Sequence, residues 1–274
     1  MRTMLDFMVK GLSACAAAFQ FLTRLPVPVS LQYNDALFRR SVLFYPLVGA
    51  VLGLLLAAAG WALQGWLAPG VTSALLLSLW AAMTGGLHLD GLMDTADGIL
   101  SHRSRERMLE IMKDSRVGAM GVIACSLLLL CKWTLLQQWL PLSWNGTAFL
   151  LPLVPLWSRW YMVVAIACWP YAREGQSGGG LGGFFRGLGA RHLAVHTALA
   201  LLLSAALVSL GGYSPLSSRG LLLIGAAAAA SGLAGVAFSR WIARKLGGLT
   251  GDTYGALNEL LETLLLLVVF SCIG

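Results

Sequence analysis

The segment Gly85-Gly86-Leu87-His88-Leu89-Asp90-Gly91-Leu92-Met93-Asp94-Thr95-Ala96-Asp97-Gly98 sets three carboxylates into an apolar run. At the helical period Asp94 falls about 40° round the axis from Asp90, and Asp97 about 20° the other way. All three share one face, with Asp90 and Asp97 about 10 Å apart along it. Like charges so placed repel, and each costs about 2.5–3.5 kcal/mol near the centre of a bilayer. The pattern needs a compensating cation. An all-oxygen donor set points to Mg²⁺, with Mn²⁺ as the alternative. The plainer reading, solvated aspartates at a helix end, fits poorly because Asp90 is expected about two turns inside its span. Gly91 and Gly98 would let another backbone or a ligand phosphate come close.

Other polar positions extend this chemistry. Lys113-Asp114-Ser115-Arg116-Val117-Gly118 places one acid and two bases at a helix entrance, where free N–H groups favour anions. Asp114 could complete a metal site, and Lys113 and Arg116 could clamp a phosphate. The charged residues before it, from Arg103 to Glu110, suit a solvated amphipathic surface. Further on, Asp252 is a good N-cap, Glu259 shares its face, and Glu262 lies about 15 Å deeper. Arg159 also lies deep in its span, and Glu262 is its expected partner. The run from Arg173 to Gly183 is glycine-rich: either a flexible linker or a backbone cradle for phosphate with Arg173 as counter-charge. His192 and His196 are spaced for metal but lack a third ligand, so a structural role is expected. His88 points about 200° away from Asp90, as a supporting residue rather than a ligand.

These residues must be positioned by membrane helices. The chain has 274 residues, 58% hydrophobic and only 11% charged, against roughly 25% charged in soluble domains. Lipid must be its main solvent. The net charge of +7 carries no basic stripe with interleaved aromatics, which excludes a nucleic-acid binder. The five cysteines lie in apolar runs without a C-x-x-C pair and read as small hydrophobes. No cleavable signal peptide is expected. Seven stretches are long enough to span: roughly 41–64, 72–97, 117–138, 147–170, 192–210, 220–240 and 252–273. The apolar segment 7–23 predicts an interfacial or half-buried helix. The fold class is therefore all-α, a polytopic bundle of about seven transmembrane helices, forming a single integral-membrane catalytic domain over 1–274. Sixteen of the nineteen Lys and Arg residues fall at one set of helix ends, which places those ends in the cytoplasm. Loops 65–71, 139–146 and 211–219 face outward, with Trp66, Trp139 and Trp144 as interface residues.

Taken together, the motifs resemble those of the cobalamin synthase family, the adenosylcobinamide-GDP ribazoletransferases. The matching pieces are Phe21-Leu22-Thr23-Arg24-Leu25-Pro26, Phe44-Tyr45-Pro46-Leu47-Val48-Gly49, Gly85 to Gly98, Lys113 to Gly118, Ser158-Arg159, Arg173-Glu174-Gly175 and Gly251-Asp252-Thr253-Tyr254-Gly255-Ala256. They follow one another in family order over nearly the whole chain. The resemblance implies an enzyme of the bacterial inner membrane, active on its cytoplasmic side. It would join α-ribazole, or its 5′-phosphate, to adenosylcobinamide-GDP, giving adenosylcobalamin, or its 5′-phosphate, and GMP. Mg²⁺ is the implied metal, held by Asp90, Asp94, Asp97 and Asp114. One of the aspartates, Asp252 or Glu259 would be the base. Lys113, Arg116 and Arg173 would hold phosphate, with Arg24, Arg159 and His88 also contributing to substrate binding. A second copy of the chain and other late cobalamin-pathway enzymes are further expected partners. Two rivals remain. CDP-alcohol phosphotransferases use Asp-x2-Asp-Gly…Asp-x3-Asp, a different spacing. Ion-coupled transporters also bury carboxylates, but no inverted repeat is visible here.

Overall fold

The computed structural model describes residues 2–140, 147–173 and 188–273, with side chains from residue 8 on. Among the described residues the regular structure is helical, joined by loops such as 23–34, apart from an isolated parallel bridge between Tyr171 and Leu249. The helices are α1 (Arg2–Leu22), α2 (Asp35–Ser41), α3 (Tyr45–Leu63), α4 (Pro69–Thr84), α5 (Leu87–Ile99), α6 (Arg105–Ile111), α7 (Ala119–Trp139), α8 (Leu153–Cys168), α9 (Ala190–Leu210), α10 (Ser218–Leu246) and α11 (Gly251–Ile273).

Six helical stretches are long and apolar enough to cross a membrane: Asp35–Leu63, Ala119–Trp139, Thr147–Cys168, Ala190–Leu210, Ser218–Leu246 and Gly251–Ile273. The bent pair Pro69–Thr84 and Leu87–Ile99 makes up to seven. The polytopic bundle expected from hydropathy is therefore present. The N-terminal helix is shorter in its apolar part, Met8–Leu22. It buries Ala14, Ala17, Ala18 and Leu22 while Leu12 is exposed, as a half-buried helix should.

The core is organised around α8 and α11. Helix α8 packs on α3, α9, α10 and α11, and α11 also packs on α5 and α7. Both central helices carry buried polar side chains among apolar ones: Ser158 and Arg159 on α8, Asn258, Glu259 and Glu262 on α11.

One expectation is corrected. The stretch 72–97 is two helices meeting at 89°. Gly85 and Gly86 have φ of 64° and 71°, the left-handed region that costs a side chain but not glycine. Their N–H groups close back on Ala82 and Ala81, a helix C-cap in the Schellman manner. The new helix begins at Leu87, so Asp90 stands exposed in its first turn rather than two turns deep. Hydropathy runs through this break because glycine is neither polar nor charged.

Candidate active site

Helices α5 and α11 cross in backbone contact. A Cβ on Gly91 would fall 2.6 Å from the carbonyl oxygen of Asp252, and one on Gly255 would fall 3.1 Å from the Cα of His88. Glycine at this crossing lets the two helices bring their acids together. Asp94 lies within electrostatic reach of Asp90, Asp97 and Asp252, with Arg173 as the neighbouring cation. Gly91→Ala should therefore push the crossing apart, costing about 1–3 kcal/mol and at least tenfold in turnover. Gly11→Ala, with nothing within 4 Å, is the control. Thermal unfolding and product release in detergent measure both. A Gly91→Ala protein with native unfolding and rate would refute the tight crossing.

The start of α11 differs from expectation. Asp252 is not its cap. Thr250 Oγ1 accepts the Thr253 N–H at 3.3 Å, and Thr253 Oγ1 accepts the Thr250 N–H at 2.8 Å, a reciprocal cap. The Asp252 carboxylate is thereby left to side chains. Its Oδ2 accepts from Arg173 Nη2 at 2.9 Å and from Thr250 Oγ1 at 3.3 Å. Arg173 keeps a buried Nε without a partner. The rest of the glycine-rich run, from residue 174 to 183, lies outside the described residues.

Asp97 turns to α7. Its oxygens accept the N–H of Gly118 at 2.7 Å and of Gly121 at 2.8 Å, an anion at a helix N-terminus. This ties α5 to α7 and uses two of the roughly four lone-pair positions of the carboxylate. Asp114 is held by Arg116, which donates from its backbone N, Nε and Nη2, the last at 2.6 Å. These bonds draw Asp114 down to about 2. Lys113 and Arg116 are exposed. Arg24 folds over Gly85 at the α4–α5 break, and its N–H bonds to the carbonyl of Met83 at 2.7 Å. Among the described residues no three His, Cys, Asp or Glu side chains form a group that could hold a metal ion.

Deeper in the bundle lies a closed network of charge. Glu262 contacts Arg159, the pairing expected from sequence, and also Lys132 at 2.5 Å. Lys132 reaches Glu259 at 2.6 Å and stands 4.6 Å over the Trp80 ring. Two anions and two cations thus balance in a site where Glu262 and Arg159 are fully buried. Glu259 belongs to this network, two turns below Asp252. Asn258 donates to Glu262 Oε1 at 3.1 Å and lies 3.1 Å from His88 Nδ1, so the network reaches the wall of the site. Lys132 and Asn258 had no assigned role from sequence. A lone lysine in mid-span was the available signal, since such a residue needs a partner. His196 bonds the Trp160 carbonyl through Nε2 and His192 lies beside the Gly189 N–H, both structural contacts.

Above the network a cavity of about 130 Å³ is lined by residues of α1, α3, α5, α8 and α11, among them His88, Asp90 and Asp252. Asp90 and Asp252, the latter bonded to Arg173, thus border a mainly apolar hollow, an arrangement suited to a ligand with a charged part and a ring.

The family described as Cobalamin-5-phosphate synthase matches residues 14–270. The chain is 42% identical to the adenosylcobinamide-GDP ribazoletransferase of Desulfitobacterium hafniense (strain Y51), over 92% of this chain and 94% of that one. It is 42% identical to the protein of that name from Desulforamulus reducens (strain ATCC BAA-1160 / DSM 100696 / MI-1), over 94% and 96%. With that of Pseudomonas aeruginosa (strain UCBPP-PA14) it shares 40% over 96% of this chain and 99% of the relative. No solved structure matches the chain. With a family match that runs nearly end to end, the chain belongs to the cobalamin-5-phosphate synthase family.

Proposed function

We propose that this membrane protein transfers the adenosylcobinamide-phosphate group of adenosylcobinamide-GDP to α-ribazole or its 5′-phosphate, releasing GMP, as a single catalytic domain with its site at the cytoplasmic side. The observation that carries the reading is the α5–α11 crossing, which gathers Asp90, Asp94 and Asp252 with Arg173 beside one cavity.

The reaction is displacement at phosphorus. The ribazole hydroxyl oxygen bonds to the phosphorus attached to cobinamide. The bridging P–O bond breaks, and its electron pair leaves with GMP. Such transfers depend on positioning and on offsetting charge. Asp252 is the base assigned to the hydroxyl proton. Both of its bonds fall on Oδ2, so Oδ1 can meet the hydroxyl. Arg173 holds that carboxylate with one nitrogen and brings its positive charge beside the phosphate. Glu259, engaged by Lys132, supports the fold of α11 instead.

The acids fit Mg²⁺. This ion keeps several waters and binds through one or two carboxylates plus substrate phosphates, so three converging protein ligands are not required. Asp90 and Asp94 would hold it, and Asp97 would fix α5 against α7 beside them. When bound, it would offset the charge of the pyrophosphate and of the leaving GMP.

The decisive assay is purified protein with adenosylcobinamide-GDP and α-ribazole, watching for GMP. GMP should appear with Mg²⁺ and fall at least about 100-fold when the ion is chelated, returning on re-addition. Intact substrates without GMP would remove the reading. Release that ignores chelation would remove the metal from it.

A further inference from the structure

The cavity beside the carboxylates is small. At about 130 Å³ it is close to an engineered apolar cavity of about 150 Å³ that takes benzene. Pockets that enclose whole ligands run about 300–1,000 Å³. It therefore has room for about one aromatic ring, with the rest of the ligand reaching outside. Its apolar walls are Phe21, Leu22, Tyr45, Met162, Ile166 and Tyr254.

One wall group has a fixed hydrogen-bonding sense. His88 is only 2% exposed, and its Nε2 has no partner. Its tautomer follows from its neighbours. Glu262, between Lys132 and Arg159, is a carboxylate and can only accept. The Asn258 group 3.1 Å from it must then be the NH₂ end. The same nitrogen lies 3.1 Å from His88 Nδ1. An NH₂ group donates, so Nδ1 must accept. The imidazole is neutral with its proton on Nε2. A buried N–H without an acceptor is costly to leave unmade, and His88 is part of the cavity wall. The Tyr45 hydroxyl rotates about its C–O bond and imposes no fixed sense.

We propose that this cavity seats the aromatic base of the ribazole substrate, with His88 Nε2–H donating to the unsubstituted ring nitrogen of the base. The inference rests on the reaction proposed above and assigns the base a place within that site. A ribosylated benzimidazole is a fused, mainly apolar ring with one free acceptor nitrogen and no N–H. It matches apolar walls with one fixed donor. Guanine and the adenine of the adenosyl group, the other bases among the substrates, each present several donors and acceptors, against the single acceptor that one fixed donor meets. With the base seated, the ribose lies toward Asp90 and Asp252, where its hydroxyl must react. His88 is thus a specificity-determining residue, oriented by Asn258 and the charge network behind it.

The test compares α-ribazole with its indole analogue, in which CH replaces the free ring nitrogen. Binding to the full chain in detergent is measured by titration calorimetry, and GMP release is followed with each acceptor. The native protein should bind α-ribazole about 10- to 100-fold more tightly than the analogue. His88→Leu should bring the two within about twofold. The native comparison needs no variant and stands even where His88→Leu fails to fold. Equal binding of both acceptors by the native protein, or a preference that survives in His88→Leu, would overturn the assignment. GMP release at equal rates from both acceptors removes the base site while the reaction stands. No release with α-ribazole removes both.

Discussion

Replacing Glu262 by glutamine should lower the stability of the bundle by about 3–5 kcal/mol, the usual cost of removing one partner from a buried ion pair. Glu262 is fully buried and touches two cations, Arg159 and Lys132. The amide keeps the shape but removes the charge. Lys132 retains Glu259 at 2.6 Å, whereas Arg159 already has Nε and Nη2 without partners and would lose its one carboxylate. Arg159 is thus the group stranded by the change. Pairing Glu262→Gln with Arg159→Met should recover part of the loss, because the stranded cation is gone. Thermal unfolding in detergent provides the measurement. A single Glu262→Gln variant within about 0.5 kcal/mol of the native protein would show that the network contributes little.

Asp94→Asn should separate activity from stability. Asp94 sits among Asp90, Asp97 and Asp252, with Arg173 opposing them. Without a cation these acids repel, so loss of one charge should leave the unfolding midpoint in metal-free buffer unchanged or raised. With the cation required for turnover, the same loss should slow GMP release by about 10³-fold, roughly 4 kcal/mol of transition-state stabilisation. The isosteric amide keeps the packing of α5, so a slower rate at an unchanged unfolding midpoint comes from the chemistry. Native turnover in Asp94→Asn would sink the assignment of this carboxylate. A parallel fall in stability and rate would instead make Asp94 a structural residue.

Much of this was legible in the sequence, and the parts that were not have definite causes. The shared face of Asp90, Asp94 and Asp97 could be counted because all three lie within one unbroken helix, Leu87–Ile99. Arg159 and Glu262 could be paired because each was a charge deep in an apolar span. The depth of Asp90 was misjudged because Gly85 and Gly86 break the helix without interrupting hydropathy. Asp252 looked like a cap because aspartate caps well, yet Thr250 and Thr253 satisfy each other first. Lys132 was visible as a lone charge, but its partners lie 127 and 130 residues away. No local pattern spans that distance. Glu259 shares a helical face with Asp252, but two turns of rise carry it from the carboxylate cluster to Lys132.

The buried charge network also bears on how the protein is made. Lys132 lies on α7, Arg159 on α8, and both of their carboxylates on α11, the last of the described helices. Synthesis runs from the N-terminus, so the two cations enter the bilayer before either of their carboxylate partners exists. Each costs about 2.5–3.5 kcal/mol at mid-helix on the insertion scale. The chain must therefore hold an incomplete bundle at the membrane until α11 arrives and neutralises it. Helix α11 is thus the element that completes the charge balance of the bundle, and a chain cut before it would keep two positive charges without their carboxylates.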